Sequence, residues 1–315
     1  MSTPKFIITI ENNGNRLDKF LVAKLPDLSR SEIQKMIKAG EVLVNGKAVA
    51  PHHFLKTGDE VAISNKQPTN LKSSASAKAS ADRKIPNLKS AILSETPDYL
   101  VLEKPSGLAV HPAPGVKEPT LADYLLEKYP AIAKVGEDPL RPGIVHRLDK
   151  EVSGLIVVAK TNDAFDDLKK QFQERKIKKE YTTLVYGEVA KDEGVIDFPI
   201  GRAESGKMAA RAKTAPEEGK IAITEFNVLE RFTNFTLLKV RIKTGRTHQI
   251  RVHFLAYGYP IVGDKLYKPR KLKLAELKRP FLHSTLLGFT DLAGQYQEFK
   301  SDLPEELKNF LKKLK

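Results

Sequence analysis

The sequence predicts an α+β protein in which a small α/β domain precedes a larger domain with a mixed, largely antiparallel central sheet. Three observations lead to this fold class. The length of 315 residues suits about two domains. A polar stretch rich in alanine and serine interrupts the chain early. Beyond it, predicted strands follow one another through polar, turn-like segments and helices occur only at intervals, which is typical of α+β folds.

Residues 1–65 have the hydrophobic spacing of two helices followed by short strands. Apolar residues recur at helical spacing in two runs, which are Leu17, Phe20 and Leu21, then Ile33, Met36 and Ile37. The run from Ser29 to Glu32 has the form of a capping box, which predicts the start of the second helix, and Gly40 suits its end. Strands are predicted at 41–44 and 59–63, with a hairpin turn at Asn45-Gly46.

A distinct composition marks residues 66–84, KQPTNLKSSASAKASADRK, which contain one leucine, no aromatic residue and five basic residues. Such a segment cannot bury enough apolar surface to offset the entropy lost when it becomes ordered. The sequence therefore predicts three parts: a domain over 1–65, a flexible basic linker over 66–94 and the larger domain over 95–315.

The larger domain combines many predicted strands with a few helices. Strands are predicted at 99–105, 143–146, 154–159, 181–189, 222–229 and 236–242. Helices are predicted at 120–129, 162–174 and 248–257, and Gly258 suits the end of the last one.

The composition excludes several classes of protein. The chain has no cysteine, which rules out disulfides, thiol nucleophiles and zinc sites with sulfur ligands. No apolar run approaches the roughly 20 residues of a membrane span, and the apolar stretch at 6–10 is too short for a secretory signal. We therefore expect a soluble, cytoplasmic protein without a membrane partner. The net charge of +14 suggests a polyanionic partner such as nucleic acid, and the alternative is that the charge serves solubility.

The densest polar segment is HRLDKEVSG at 146–154, between two predicted strands. Loops held between rigid strands often carry catalytic groups. Asp149 should be ionised, because Arg147 and Lys150 are its neighbours in sequence and a nearby cation favours the carboxylate. An ionised aspartate suits a nucleophile or a proton acceptor. The alternative interpretation is a structural salt bridge at the end of a strand.

A second polar segment, KTGRTHQIRVH at 243–253, leads from a predicted strand through a glycine turn into a helix. Thr247 suits the helix N-cap, and Arg246 would project from the turn with a guanidinium that matches a carboxylate or a phosphate. His248 and His253 are five residues apart, which directs them away from each other on a helix. They cannot share a metal, and no nucleotide-binding glycine motif occurs, so we expect neither a metal nor a cofactor.

Five segments resemble, in order and spacing, the signatures of the RluA family of RNA pseudouridine synthases. They are VLEKPSGLAVHP at 101–112, HRLDKEVSGLIVVAKT at 146–161, KKEYTTLVYG at 178–187, TGRTHQIRVHF at 244–254 and GYPIVGDKLY at 258–267. The resemblance covers nearly all of the larger domain and implies the pseudouridine synthase fold.

The first domain resembles the ribosomal S-four-type RNA-binding domain. The resemblance rests on Arg16-Leu17-Asp18, Ser29-Arg30-Ser31, Ile37, Gly40, the run from Val42 to Gly46, and Gly58-Asp59. It implies that basic residues of the second helix, chiefly Arg30 and Lys35, contact RNA phosphates. The alternative is a surface helix with ordinary solvated charges. A domain of this type ahead of the synthase domain is a familiar arrangement in the RluA family, although the linker here is long.

The RluA resemblance implies that uridine within RNA is isomerised without a cofactor: uracil leaves the ribose and is rejoined through its carbon 5. Asp149 matches the family's catalytic aspartate, which either attacks the anomeric carbon or takes the 2′ proton. Arg246 would pair with Asp149 and hold its side chain in place. Tyr181 would stack on the detached uracil. Arg147 would contact a phosphate or fill the gap left by the target nucleotide, which must leave the base stack to be reached.

Two other functions are compatible with the sequence. One is a non-catalytic RNA-binding or ribosome-assembly factor with the same fold, which the joint presence of Asp149, Tyr181 and Arg246 disfavours. The other is a hydrolase of the same glycosidic bond, which would release free uracil. The S-four-type domain favours ribosomal RNA of the large subunit over transfer RNA as the partner. We expect a monomer, because no exposed apolar repeat suggests contact between copies.

Overall fold

The computed structural model describes residues 5–25, 28, 30–51, 53–63, 88–112, 116, 118–203, 205–210, 219–273 and 275–314. The chain divides into two compact units, Met1–Arg83 and Lys84–Lys315. Most of the segment predicted as a linker, residues 66–87, lies outside the described residues. The end of that segment belongs to the second unit, where Leu88 is buried in the core.

The first unit has a four-stranded antiparallel sheet and two helices around one apolar core. The strands are β1 (Lys5–Ile7), β2 (Val42–Val44), β3 (Lys47–Ala48) and β4 (Glu60–Ile63), in the order β1-β4-β2-β3, and the helices are α1 (Leu17–Lys24) and α2 (Arg30–Lys38). Both predicted apolar stripes face the core, with Leu17, Phe20, Leu21, Ile33 and Ile37 buried. Asn45 and Gly46 have φ of 52° and 73°, the left-handed pair of a tight hairpin turn. The predicted cap, Ser29, lies outside the described residues.

The second unit is built on a nine-stranded mixed sheet. Its strands are β5 (Ile92–Glu95), β6 (Tyr99–Lys104), β7 (Ser153–Ala159), β8 (Lys178–Tyr186), β9 (Glu193–Ile196), β12 (Thr224–Phe232), β13 (Phe235–Ile242), β14 (Leu282–Thr290) and β15 (Tyr296–Lys300), while β10 (Ile200–Arg202) and β11 (Met208–Ala210) form a separate hairpin. The sheet order is β5-β6-β7-β14-β8-β13-β12-β9, with β15 beside the second half of β14. Among the described strands only β7 and β14 pair in parallel, which confirms the predicted α+β class with a largely antiparallel sheet.

Four α-helices lie in the described part of the second unit. They are α3 (Leu121–Lys128), α4 (Asn162–Gln173), α5 (Gln249–Ala256) and α6 (Glu305–Lys312). Helix α3 begins at a capping box, in which Thr120 accepts from the backbone N–H of Asp123 and the Asp123 carboxylate accepts from the backbone N–H of Thr120. Helices α3 and α4 share an apolar core with β6 and with β7, all seven residues of which are buried. Within the described ranges, no helix is both long and apolar enough to cross a membrane.

The strand predicted at 143–146 is wrong. Only Ile144 forms a bridge, to Val158, and the segment then leaves the sheet. The reason is competition for one edge of β7. Strand β14 occupies that edge at Ser153 and Gly154, so the incoming segment can pair only with the far end of β7.

A buried polar network joins the start of β7 to β14. Ser153 Oγ lies 2.7 Å from His283 Nδ1, and Arg279 donates to the same Oγ atom at 2.7 Å. The other ring nitrogen of His283 lies 2.9 Å from Ser301 Oγ. Burial, followed by the charge of Arg279, lowers the pKa of His283 to about 4. His283 is therefore a neutral structural histidine that fixes where the polar segment before β7 ends.

Gly154 lies where β7 and β14 approach most closely. Its φ is +113°, and a Cβ atom there would lie 2.3 Å from the carbonyl oxygen of Ser284. Gly258, after α5, also has a positive φ of +94°, but a Cβ atom there would meet nothing within 4 Å. Alanine at Gly154 would therefore meet both the cost of positive φ and a steric clash, whereas alanine at Gly258 would meet only the cost of positive φ.

We expect Gly154→Ala to lower the free energy of unfolding by about 2–6 kcal/mol, because the cost of positive φ adds to overpacking. The matched variant Gly258→Ala should lose only about 1–3 kcal/mol, the cost of positive φ alone. Urea denaturation of both variants measures the difference. Equal losses would contradict the close approach of β7 and β14.

Candidate active site

The carboxylate of Asp149 lies in a small cavity of about 90 Å³, between the polar segment before β7 and the start of α5. Its side chain is 16% exposed. Arg251 Nη1 lies 3.2 Å from one carboxylate oxygen, and His248 Nε2 lies 3.8 Å from the other. Asp149 is thus the single acidic residue among the described lining of this cavity, and nitrogen-bearing side chains flank it.

Arg251 connects Asp149 to a second, fully buried carboxylate. Its Nε and Nη2 atoms donate to the two oxygens of Asp264 at 2.6 and 2.8 Å, a bidentate pair. Asp264 also accepts from the backbone N–H groups of Leu266 and Tyr267, which fixes it within its own turn. Burial lowers the pKa of Arg251, but the hydrogen bonds and charges of Asp264 and Asp149 outweigh it and raise the pKa. The guanidinium is therefore permanently charged and held in one orientation.

His248 occupies a left-handed backbone conformation at the N-cap of α5, with φ of 56°. Few residues with a side chain adopt this conformation, and such outliers concentrate at functional sites. The Tyr267 hydroxyl lies 2.8 Å from His248 Nδ1 and fixes the ring. Burial lowers the pKa of His248, and the charge of Asp149 opposes this shift only in part. The imidazole that faces Asp149 is therefore mainly neutral at neutral pH.

Arg147 is held at the mouth of the cavity by a histidine. Its Nη1 atom lies 3.1 Å from His111 Nε2, and His111 Nδ1 lies 3.0 Å from the carbonyl oxygen of Pro112. A guanidinium can only donate, so Nε2 accepts and Nδ1 carries the proton that Pro112 accepts. Burial lowers the pKa of His111, which is consistent with this neutral tautomer.

Tyr181, on β8, forms one wall of the cavity with its buried ring. Burial, and then the negative charge of Asp149, raise the pKa of its hydroxyl. The phenol is therefore protonated, and a hydrogen bond to the Ser284 side chain partly offsets the shift. The Tyr181 ring thus presents an apolar surface to the cavity, next to its own hydroxyl group.

Arg246 does not pair with Asp149, so the predicted ion pair is wrong. The Arg246 Nε atom donates to the carbonyl oxygen of Ile221 at 3.0 Å, and its backbone N–H donates to the Gln249 side chain at 3.0 Å. These bonds hold Arg246 in the turn before α5, whereas Arg251 lies on the helix and points inward. The partner of Asp149 is therefore Arg251, which sequence reasoning missed although both arginines lie in one polar segment.

Lys104 is a second residue that the motif analysis did not single out. Its buried ammonium donates to the carbonyl oxygens of Pro105 and Leu108 at 2.8 Å and of Lys150 at 3.2 Å. Burial, and then the charge of Arg279, lower its pKa to about 7. The three bonds tie the end of β6 to the residue that follows Asp149.

A larger cavity of about 500 Å³ adjoins the small one. Arg147, Tyr181 and Arg246 line both cavities, together with Ile242 and Gly245. The larger cavity is lined by seven lysine and arginine residues and, among the described residues, by no carboxylate. The four residues that sequence reasoning selected here, Arg147, Asp149, Tyr181 and Arg246, thus line two adjoining cavities, of which only the smaller contains a carboxylate among the described residues.

The two residues predicted to bind RNA in the first domain lie on α2. Lys35 is exposed, and the side chain of Arg30 lies outside the described part of the structure. No cluster of three or more histidine, aspartate or glutamate side chains suited to a metal occurs within the described ranges.

The chain matches two known families. The first, RNA pseudouridylate synthase, matches residues 98–256, and the second, the S4 domain, matches residues 15–61. The first match contains Asp149, Tyr181 and Arg251, and the second contains α1 and α2. These matches define the class of the protein as an enzyme that forms pseudouridine in RNA.

Relatives and solved structures agree with this class. The chain is 38% identical over 306 residues to YlyB of Bacillus subtilis strain 168, an uncharacterized RNA pseudouridine synthase, covering 97% of this chain and 96% of the relative. It is 36% identical to the ribosomal large subunit pseudouridine synthase D of Pseudomonas aeruginosa, covering 95% and 92%. The structure of human RNA pseudouridylate synthase domain containing 4 aligns with a TM-score of 0.57 and 26% identity, over 72% of this chain and 94% of that one. The chain belongs to the RluA family of RNA pseudouridine synthases and carries an N-terminal S-four-type domain.

We expect Arg251→Met to lower the free energy of unfolding by about 3–5 kcal/mol, because Asp264 would remain buried without its cation. Arg246→Met is the matched control. It loses one hydrogen bond to a carbonyl oxygen and should cost about 1 kcal/mol. Urea denaturation compares the two. A cost for Arg251→Met no larger than that of the control would contradict the role of Arg251 as the cation of two carboxylates.

Proposed function

We propose that the protein converts specific uridines of large-subunit ribosomal RNA into pseudouridine and that Asp149 is the group that acts on the ribose. One observation carries the proposal. The Asp149 carboxylate is held by Arg251 in a small cavity beside the Tyr181 ring, and that cavity shares five lining residues with a strongly cationic one. Polyanionic RNA suits the cationic cavity, and the ribose of one extruded nucleotide would lie at the Asp149 carboxylate.

Asp149 opens the glycosidic bond by one of two routes, attack on the anomeric carbon or removal of the 2′ proton. Both routes need a carboxylate with a fixed orientation, which is what Arg251 and the buried Asp264 provide. Tyr181 covers the detached uracil while it turns to present carbon 5. Arg147, oriented by His111, contacts a phosphate or the space that the extruded nucleotide leaves. Arg246 stands at the junction of the two cavities and contacts the RNA there.

The ribosomal target is supported by relatives in three organisms that carry the name ribosomal large subunit pseudouridine synthase D, at 35–39% identity over nearly the whole chain. The S-four-type domain over residues 1–65, with Arg30 and Lys35 on its second helix, serves as an additional RNA-binding module. We also propose that the protein acts as a monomer in the cytoplasm.

Asp149→Asn should lower pseudouridine formation by at least about 10²–10⁴-fold, because an amide neither accepts a proton nor attacks carbon well. RNA binding should survive, since the amide keeps the shape of the carboxyl group. Nucleoside mass spectrometry of ribosomal RNA and a filter-binding assay measure the two properties. Asp166→Asn, at an exposed position of α4, is the control and should behave as wild type. Full turnover by Asp149→Asn would overturn the assignment, and release of free uracil would indicate a hydrolase.

Deletion of residues 1–65 should weaken binding to long ribosomal RNA more than it changes the stability of the second unit, which has its own apolar cores. Affinity and thermal unfolding are measured on the same preparation. Unchanged affinity would remove the RNA-binding role of the first domain. Mapping of pseudouridines in total RNA with and without the gene identifies the target positions.

A further inference from the structure

Lys179 stands out in the larger cavity because the described part of the chain offers its ammonium no acceptor. The residue lies on β8, two positions before Tyr181, and therefore on the same face of the sheet. Its Nζ atom lies 5.2 Å from the centre of the Phe172 ring, a cation–π contact. An ammonium group has three donors, and an aromatic ring satisfies none of them fully.

The electrostatic setting of Lys179 is that of a cation without a counter-ion. Burial lowers its pKa to about 8. Two other lysines of the cavity, Lys169 and Lys243, have partners of their own, because they pair with Glu137 and Glu225. Lys179 has no such partner among the described residues, and its charge is costly unless an anion enters from outside.

The position of Lys179 relative to Asp149 indicates which anion enters. Asp149 lines only the small cavity and Lys179 lines only the large one, while Arg147 and Tyr181 form the wall between them. A nucleotide whose ribose lies at Asp149 therefore leaves the adjoining backbone on the Lys179 side. Gly245 lies beside the ammonium on that side, since a Cβ atom there would lie 4.0 Å from Lys179 Nζ.

We propose that Lys179, with Arg147, binds a backbone phosphate of the RNA next to the nucleotide held at Asp149. The proposal rests on the proposed function, because it needs a nucleotide in the small cavity. The phosphate oxygens supply the acceptors that the ammonium lacks, and the Phe172 ring holds the lysine in place. The site recognises charge and spacing and reads no base.

Three variants separate this role from general effects on charge. Lys179→Met removes the ammonium, and Lys179→Arg keeps the charge. Lys239→Met is the matched control, because Lys239 is an exposed lysine on the neighbouring strand β13 and faces the opposite side of the sheet. Lys179→Met should be at least as stable as wild type in thermal unfolding, since it removes a half-buried charge that has no partner among the described residues. A clear loss of stability would mark Lys179 as structural and would overturn the proposal.

The decisive experiment maps the phosphate by a neutral-linkage scan. The probe is a short oligocytidylate with one central uridine, in which a single methylphosphonate linkage is placed at each position in turn. In wild type, one linkage next to the uridine should lower affinity by about 10-fold or more, as expected for a bond between charged groups. Lys179→Met should lower affinity for the unmodified probe and should respond to that linkage clearly less than wild type does, because only Arg147 then contacts the phosphate. Lys179→Arg and Lys239→Met should scan as wild type does.

The outcomes of the scan are distinct from those of the activity tests. If Lys179→Met binds every probe more weakly than wild type by the same factor, or binds every probe as tightly as wild type, the phosphate site is wrong. If pseudouridine mapping shows activity but Lys179→Met and the neutral linkage next to the uridine weaken binding independently, the proposed function stands and this inference falls. If the coupling appears but ribosomal pseudouridines are unchanged without the gene, the site stands and the ribosomal target falls.

Discussion

Arg251 is the cation on which the geometry of the small cavity depends. It makes a bidentate pair with the fully buried Asp264 and a single contact with Asp149. A buried carboxylate is stable only with a partner, so Asp264 determines where the guanidinium lies. The guanidinium in turn determines where Asp149 lies, although 102 residues separate the two in sequence. The polar segment, α5 and the turn around Asp264 are thus coupled through one side chain.

The polar segment that carries Asp149 is supported on both sides. Lys104 binds the carbonyl oxygen of Lys150, directly after Asp149, and Ser153 enters the network of His283 and Arg279. Between these supports the segment has little regular hydrogen bonding, so its side chains are free to line the cavities. The rigid sheet therefore fixes the ends of the segment, and the segment in turn exposes charged groups that a strand would have to pair or bury.

Local patterns predicted much of the fold. The apolar stripes of α1 and α2, the turn at Asn45-Gly46 and the buried strand β7 follow from short-range periodicity and turn chemistry. Strand β14 was not predicted, because its sequence, LHSTLLGFT, has polar residues and a glycine where the apolar run of a buried strand would continue. Sequence motifs selected Asp149, but not its partner. Which arginine of two points inward depends on where α5 begins, and His248 delays that start by its left-handed conformation.

The position of β14 has a consequence for how the enzyme is made. This strand lies between β7 and β8, yet it follows both by about a hundred residues or more in the chain. During synthesis the ribosome therefore releases both neighbours long before the strand that joins them, and the sheet closes late. The Asp149 segment gains its support from His283 only at that stage. A nascent chain consequently cannot complete the cavity around Asp149 until about a hundred residues beyond β8 have been synthesised.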